Sequence, residues 1–120
     1  MERYGFIDYK GKQILYIDHT GLNEDDLIEN MRKATQFMNN CHKKELLMLT
    51  NFTDTYGTEK VMQELKGKDS VESMKITKKV AVVGVTGIKK IFLNAYNVLT
   101  GKNVRAFDTL EAAKDYLVAE

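Results

Sequence analysis

The strongest constraint on the fold of this chain is an alternation that begins near Gln13. Short runs of apolar, often β-branched residues take turns with longer stretches in which apolar residues recur every three or four positions. Val80 to Val85 is the clearest short run, uncharged and bounded by Lys79 and the Thr86-Gly87 turn. It reads as a buried strand, as do Leu46 to Leu49 and Val104 to Phe107. The longer stretches read as helices. Asn23 is a good N-cap, and Glu24, Asp25 and Asp26 put negative charge on the first turn that follows. Leu27, Met31, Ala34, Met38 and Cys41 then form one stripe, on a helix running to about Asn40. Val61, Met62 and Leu65 mark a helix that Gly67 breaks or ends, and a further helical piece covers about Ser70 to Ile76. Ile88, Ile91, Phe92, Ala95, Tyr96, Val98 and Leu99 give a broad apolar helical face, closed by Gly101. Asp108 is the expected cap of the last helix, with Glu111 as its capping-box partner and Leu110, Ala113 and Leu117 docking it.

Arg3 to Asp8 and Gln13 to Asp18 flank the turn Tyr9-Lys10-Gly11-Lys12 and predict a hairpin. A tight turn cannot join parallel strands, so the first strand is antiparallel to the second. From the second strand onward the β-α repeat predicts parallel pairing through right-handed crossovers. The expected fold class is α/β: a mainly parallel sheet of about five strands with covering helices. The 120 residues contain no proline and no low-complexity linker, so positions 1–120 are read as one domain.

Several function classes lose ground on bulk properties. The formal net charge of +1 is not that of a dedicated nucleic-acid binder. Basic residues do gather between Val61 and Asp108, where they either form a solvated face or meet an acidic partner or an anionic surface. Cys41 is the only cysteine, which rules out an intramolecular disulfide and fits a reducing compartment. The first residues lack an apolar signal core, and the longest apolar run is far short of the roughly 20 residues a membrane span needs. The expectation is a cytoplasmic protein without membrane insertion.

Ligands of open α/β sheets sit beyond the carboxyl ends of the strands. Asp18, His19 and Thr20, then Asn51, Thr53, Asp54 and Thr55, then Thr86 and Gly87, then Asp108 and Thr109 fall there. Many of these also serve as caps. Asp18-His19 invites a catalytic reading, but neighbours on a strand point to opposite faces. Cys41-His42 lacks good geometry as well, and no metal-ligand spacing is present. The stretch from Gly84 to Lys90 misses the phosphate-loop spacing and reads as a structural turn. No catalytic residue, metal or cofactor is expected.

The run Lys79-Val80-Ala81-Val82-Val83-Gly84, then Ile88-Lys89-Lys90-Ile91-Phe92, Leu99-Thr100-Gly101, Val104-Arg105-Ala106-Phe107-Asp108 and Leu110-Glu111-Ala112-Ala113 resembles the C-terminal half of a STAS domain. More narrowly, it resembles the SpoIIAA-like proteins of the STAS/SEC14 group. STAS antagonists carry Asp-Ser-Ser-Gly after the third strand, with the first serine phosphorylated to switch partner binding. The matching stretch here is Asp54-Thr55-Tyr56-Gly57, in which Tyr56 departs from serine and Thr58-Glu59 replaces apolar residues. The resemblance makes Thr55 the candidate phosphoacceptor, with helix capping as its other reading. Asp54, Tyr56, Gly57, Thr58, Val61 and Met62, in and after this stretch, are candidate binding residues, as is Thr86 from the strand-end rim. The fold is similar also to lipid-transfer domains of the CRAL-TRIO type. That likeness implies an apolar crevice beneath a helix, lined or covered by Tyr56, Val61, Met62, Leu65, Val71 and Met74.

The leading expectation is a non-enzymatic STAS-like binding or regulatory module for a protein partner or small ligand. A carrier of a small apolar ligand or lipid is the second, and a hydrolase or transferase on the strand-end rim the third. A deep apolar pocket favours the carrier, and a flat exposed patch around Asp54 to Met62 favours a protein partner.

Overall fold

The computed structural model describes residues 2–120. Ten elements follow one another: β1 (Tyr4–Tyr9), β2 (Lys12–Asp18), α1 (Glu24–Asn40), β3 (Leu46–Asn51), α2 (Glu59–Leu65), α3 (Lys68–Met74), β4 (Thr77–Val83), α4 (Ile88–Thr100), β5 (Arg105–Phe107) and α5 (Leu110–Val118). The five strands form one sheet in the order β1-β2-β3-β4-β5. β1 runs antiparallel to β2, and every later pair is parallel, as the alternation predicts.

This order dictates where the helices go. Each new strand lies on the same side of the last, and right-handed crossovers then put every connecting helix on one face of the sheet. Accordingly, α1, α2, α3 and α4 cover the face bearing Leu15, Ile17, Met48, Val80 and Val82. Only α5, which follows the last strand, packs on the other face, where Ala113 and Leu117 meet Ile14, Leu49, Ala81 and Val83. The period of two along each strand sorts its residues between these layers. On β3, Leu46 and Met48 face α1–α4, while Leu49 faces α5.

The ends of several elements differ from expectation. β4 starts at Thr77, because Lys79 finds partners there: its Nζ lies 5.0 Å from the Tyr116 ring centroid and donates to the carbonyls of Tyr116 and Ala119. The strand stops at Val83, because Gly84 takes a left-handed φ of +81°. Val104 is buried against α4 but precedes the ladder of β5. Cys41 ends the α1 stripe, packed against the same cluster as Ala34 and Met38. It is the C-cap, half-buried, with its thiol donating to the Met38 carbonyl.

The last helix is capped by Thr109, not Asp108: the Thr109 hydroxyl accepts from the Ala112 amide at 3.1 Å. Both residues are cap types, and the shift of one position breaks the pairing with Glu111. Thr109→Ala therefore costs about 1 kcal/mol in urea unfolding, and Asp108→Ala less than about 0.5 kcal/mol. The reverse order would return the cap to Asp108.

The apolar face of α4 is broader than the core it meets. Phe92, Leu93 and Tyr96 pack inward, while Ile88, Ile91, Val98 and Leu99 stay exposed. The basic stretch is likewise no uniform patch. Lys79, Lys89 and Lys102 each donate to backbone carbonyls of another segment, Lys102 to that of Met74 at 2.7 Å. No described helix is long and apolar enough to cross a membrane.

Candidate functional site: an apolar cavity beneath the crossover helices

α2 and α3 are only seven residues each, and α1–α4 do not fill the space above β2, β3 and β4. A cavity of about 140 Å³ remains there. Its floor is Ile17, Met48, Thr50, Val80 and Val82, and its walls include Met31 and Ala34 of α1, Val61, Met62 and Leu65 of α2, Met74 of α3, and Phe92 and Tyr96 of α4. Methionine suits such a wall because its unbranched thioether adapts to irregular shapes. The volume is close to that of engineered cavities that hold benzene, roughly 150 Å³.

One end of the cavity is polar. His19 follows β2 and continues the face of Leu15 and Ile17, so its ring enters the cavity wall. It is 3% exposed, and its ring lies 5.1 Å from that of Phe52. Asn30 of α1 approaches His19 Nδ1 at 3.0 Å through its amide nitrogen, which also donates to the Asp18 carbonyl at 3.4 Å. A carbonyl only accepts, so that Asn30 atom is the nitrogen, Nδ1 is an acceptor, and the imidazole proton sits on Nε2. Burial pushes the histidine pKa down to about 4, with Asp18 raising it less and Arg3 adding slightly to the fall. At neutral pH the ring is therefore uncharged. The carboxylate of Asp18 accepts from the Thr20 amide at 2.9 Å instead of facing His19.

The segment after β3 closes this end. The Thr55 hydroxyl donates to the Phe52 carbonyl at 2.6 Å, and Lys89 Nζ donates to the same oxygen at 3.1 Å. Desolvation lowers the Lys89 pKa, with Asp54 opposing the shift. Thr58 is the true cap of α2, accepting from the Val61 amide at 3.2 Å, so capping is not the role of Thr55. Thr55 is 6% exposed. A kinase reaching its hydroxyl must first break the bond to Phe52 and turn the side chain out of the cavity wall.

The sequence-selected residues thus line two places, and Thr55 and Tyr56 border both. Thr55, Tyr56, Gly57, Thr58, Val61 and Met62 line the cavity, with Tyr56 largely exposed. Gly57 lies against α4, where a Cβ would come within 2.8 Å of the Phe92 ring. Leu65 and Met74 line the cavity too, whereas Val71 does not reach it. Asp54 and Thr86 belong to an open depression of about 530 Å³ at the strand-end rim, shared with Thr53, Gly84, Lys89 and Asp108. Asp54 holds a left-handed φ of +57° there. Sequence reasoning missed His19 and Asn30 as a pair. Their signal was present: Asn30 falls three residues after Leu27, on the buried stripe of α1, where an amide needs a partner.

No family model matches the chain, and no curated protein matches it. Among solved structures, it is similar to an uncharacterised protein of the DUF3478 family from Shewanella loihica PV-4, which has a SpoIIAA-like fold. The likeness covers 95% of this chain and 91% of that one, with a TM-score of 0.68 at 20% sequence identity. The chain therefore has the SpoIIAA-like α/β fold, with the mixed five-stranded sheet that the resemblance implied.

Proposed function

We propose that this protein is a non-enzymatic, SpoIIAA-like binding module that takes a small apolar ligand into the cavity beneath α1–α4. The observation that carries this reading is a cavity lined mainly by aliphatic, aromatic and thioether side chains. An apolar guest gains by burying its surface against such a lining. The non-enzymatic part draws support from His19, whose low pKa and bond from Asn30 make it a poor base near neutrality. The regulatory part, contact with a protein partner, draws support from Tyr56 and the uncovered apolar stripe of α4.

The test is a titration with toluene, followed through the methyl resonances of Met31, Met48, Met62 and Met74. These methyls shift saturably, with a Kd of roughly 0.1–1 mM, given typical affinities per ligand atom. Val82→Phe fills the floor and abolishes the shifts while the protein stays folded. Unchanged methionine resonances in the wild type, or shifts that survive Val82→Phe, defeat the proposal. Native mass spectrometry of protein from its own source then reports which molecule, or which protein, is retained.

A further inference from the structure

The polar end of the cavity specifies what an apolar guest must carry. Thr50 of β3 stands opposite Ile17 of β2, and His19 follows β2, two residues beyond Ile17 on the same face. They are 3% and 4% exposed. Neither His19 Nε2 nor Thr50 Oγ1 bonds to any described residue, yet no described side-chain nitrogen or oxygen is shut away without a partner. Both atoms therefore touch open space, and both residues line the cavity. The Nε2 atom carries a proton, because Nδ1 is occupied as the acceptor of Asn30. The Thr50 hydroxyl can donate as well.

From this geometry we propose that His19 Nε2–H and Thr50 Oγ–H form a seat for one uncharged oxygen acceptor, so that the ligand is a small apolar molecule with a single carbonyl group. The inference rests on the cavity reading above. A carbonyl oxygen has two lone pairs and can accept from both donors at once. A carboxylate does not fit this seat. The neutral imidazole offers no countercharge, and a buried anion without one loses its hydration uncompensated. A carboxylate belongs instead with Lys89, at the cavity wall beside Phe52.

Three probes sharing a phenyl ring decide the matter: toluene, acetophenone and benzoate. The wild type binds acetophenone at least as tightly as toluene, and both more tightly than benzoate. Thr50→Val keeps the shape of the side chain and removes the hydroxyl. His19→Asn keeps an acceptor for Asn30 and removes Nε2–H. Each variant lowers the acetophenone-to-toluene affinity ratio roughly tenfold, the usual cost of an unpaired buried carbonyl. In the wild type the ¹⁵N resonance of His19 Nε2 moves with acetophenone and not with toluene, which keeps the question open to test should His19→Asn fail to fold. A ratio unchanged in Thr50→Val, together with a static Nε2 resonance, removes the seat and leaves the cavity reading intact. Preference for benzoate assigns the polar end to Lys89 and overturns the neutral class. Failure of all three probes to bind removes the cavity reading and this one together.

Discussion

Replacing Gly84 by alanine costs on the order of 3 kcal/mol of folding stability, with a fall in Tm of roughly 10 °C. Two independent penalties meet at this residue. Its φ of +81° lies in the left-handed region that L side chains avoid. An added Cβ would also stand 2.4 Å from the Thr53 amide nitrogen and 2.6 Å from its Cα, and backbone atoms have nowhere to retreat. The chains at 52 and 83 are already tied by the Phe52 amide donating to the Val83 carbonyl at 2.8 Å. Alanine must therefore push apart the ends of β3 and β4, moving Phe52 and Thr55 at the polar end of the cavity. Gly101→Ala is the control. Its φ of +72° and ψ of 11° are ordinary left-handed values and no atom lies within 4 Å of the added Cβ, so only the backbone penalty of about 1 kcal/mol remains. Urea unfolding of both variants checks the difference, and equal losses would show that the close approach to Thr53 carries no weight.

Acid weakens the fold through His19. In the unfolded chain this histidine gains a proton near its ordinary value of 6.5, and in the folded protein only at about 4. Its folded pKa is depressed, so between those values the unfolded state binds more protons and stability falls as pH falls. The contribution is complete above pH 6.5, declines by about 1.4 kcal/mol per pH unit, and levels off near pH 4. The total loss is about 3 kcal/mol. His19→Asn removes the titrating group, so its stability declines much less over this window. Asp115, whose carboxyl pKa is lowered by Lys10 and Tyr9, also weakens the fold in acid, but below its ordinary value of 3.8, outside the histidine window. Urea unfolding of both proteins from pH 7.5 to 4 measures the difference. Parallel pH profiles for wild type and variant would overturn a neutral, buried His19.

The sheet was legible from sequence because period and length speak for whole segments. Val80 to Val83 has no polar residue to place outside, so it had to be interior, and β4 does lie between β3 and β5. What escaped was set by single contacts. Lys78 and Lys79 disguised the start of β4, since nothing in the sequence says that Tyr116 and two carbonyls of α5 will receive the Lys79 side chain. Asp108 and Thr109 are equivalent as cap residues, and only the extended backbone of Thr109, at φ −134°, selects between them. The helical face of Ile88 to Leu99 shows that a residue is apolar but not which side finds a neighbour.

The candidate site was half legible for the same reason. Tyr56, Val61, Met62, Leu65 and Met74 were placed at a crevice by the likeness to lipid-transfer domains, and they line the cavity. His19 and Asn30 were not paired, because their meeting depends on the rotation of α1 over the sheet. Opposite facing of Asp18 and His19 was foreseen from the strand period. That His19 would then point into an apolar cavity required knowing which face the crossovers cover.

The one-directional strand order has a consequence for synthesis on the ribosome. As the chain emerges, each strand can pair with its predecessor, and each crossover helix can settle on one side before the next strand arrives. The opposite side has no such companion. Ile14, Leu49, Ala81 and Val83 wait for Ala113 and Leu117 of α5, which emerges after all five strands. A nascent chain stalled before residue 110 therefore presents one finished surface and one bare, β-rich apolar surface, the kind on which holding chaperones act and aggregation starts.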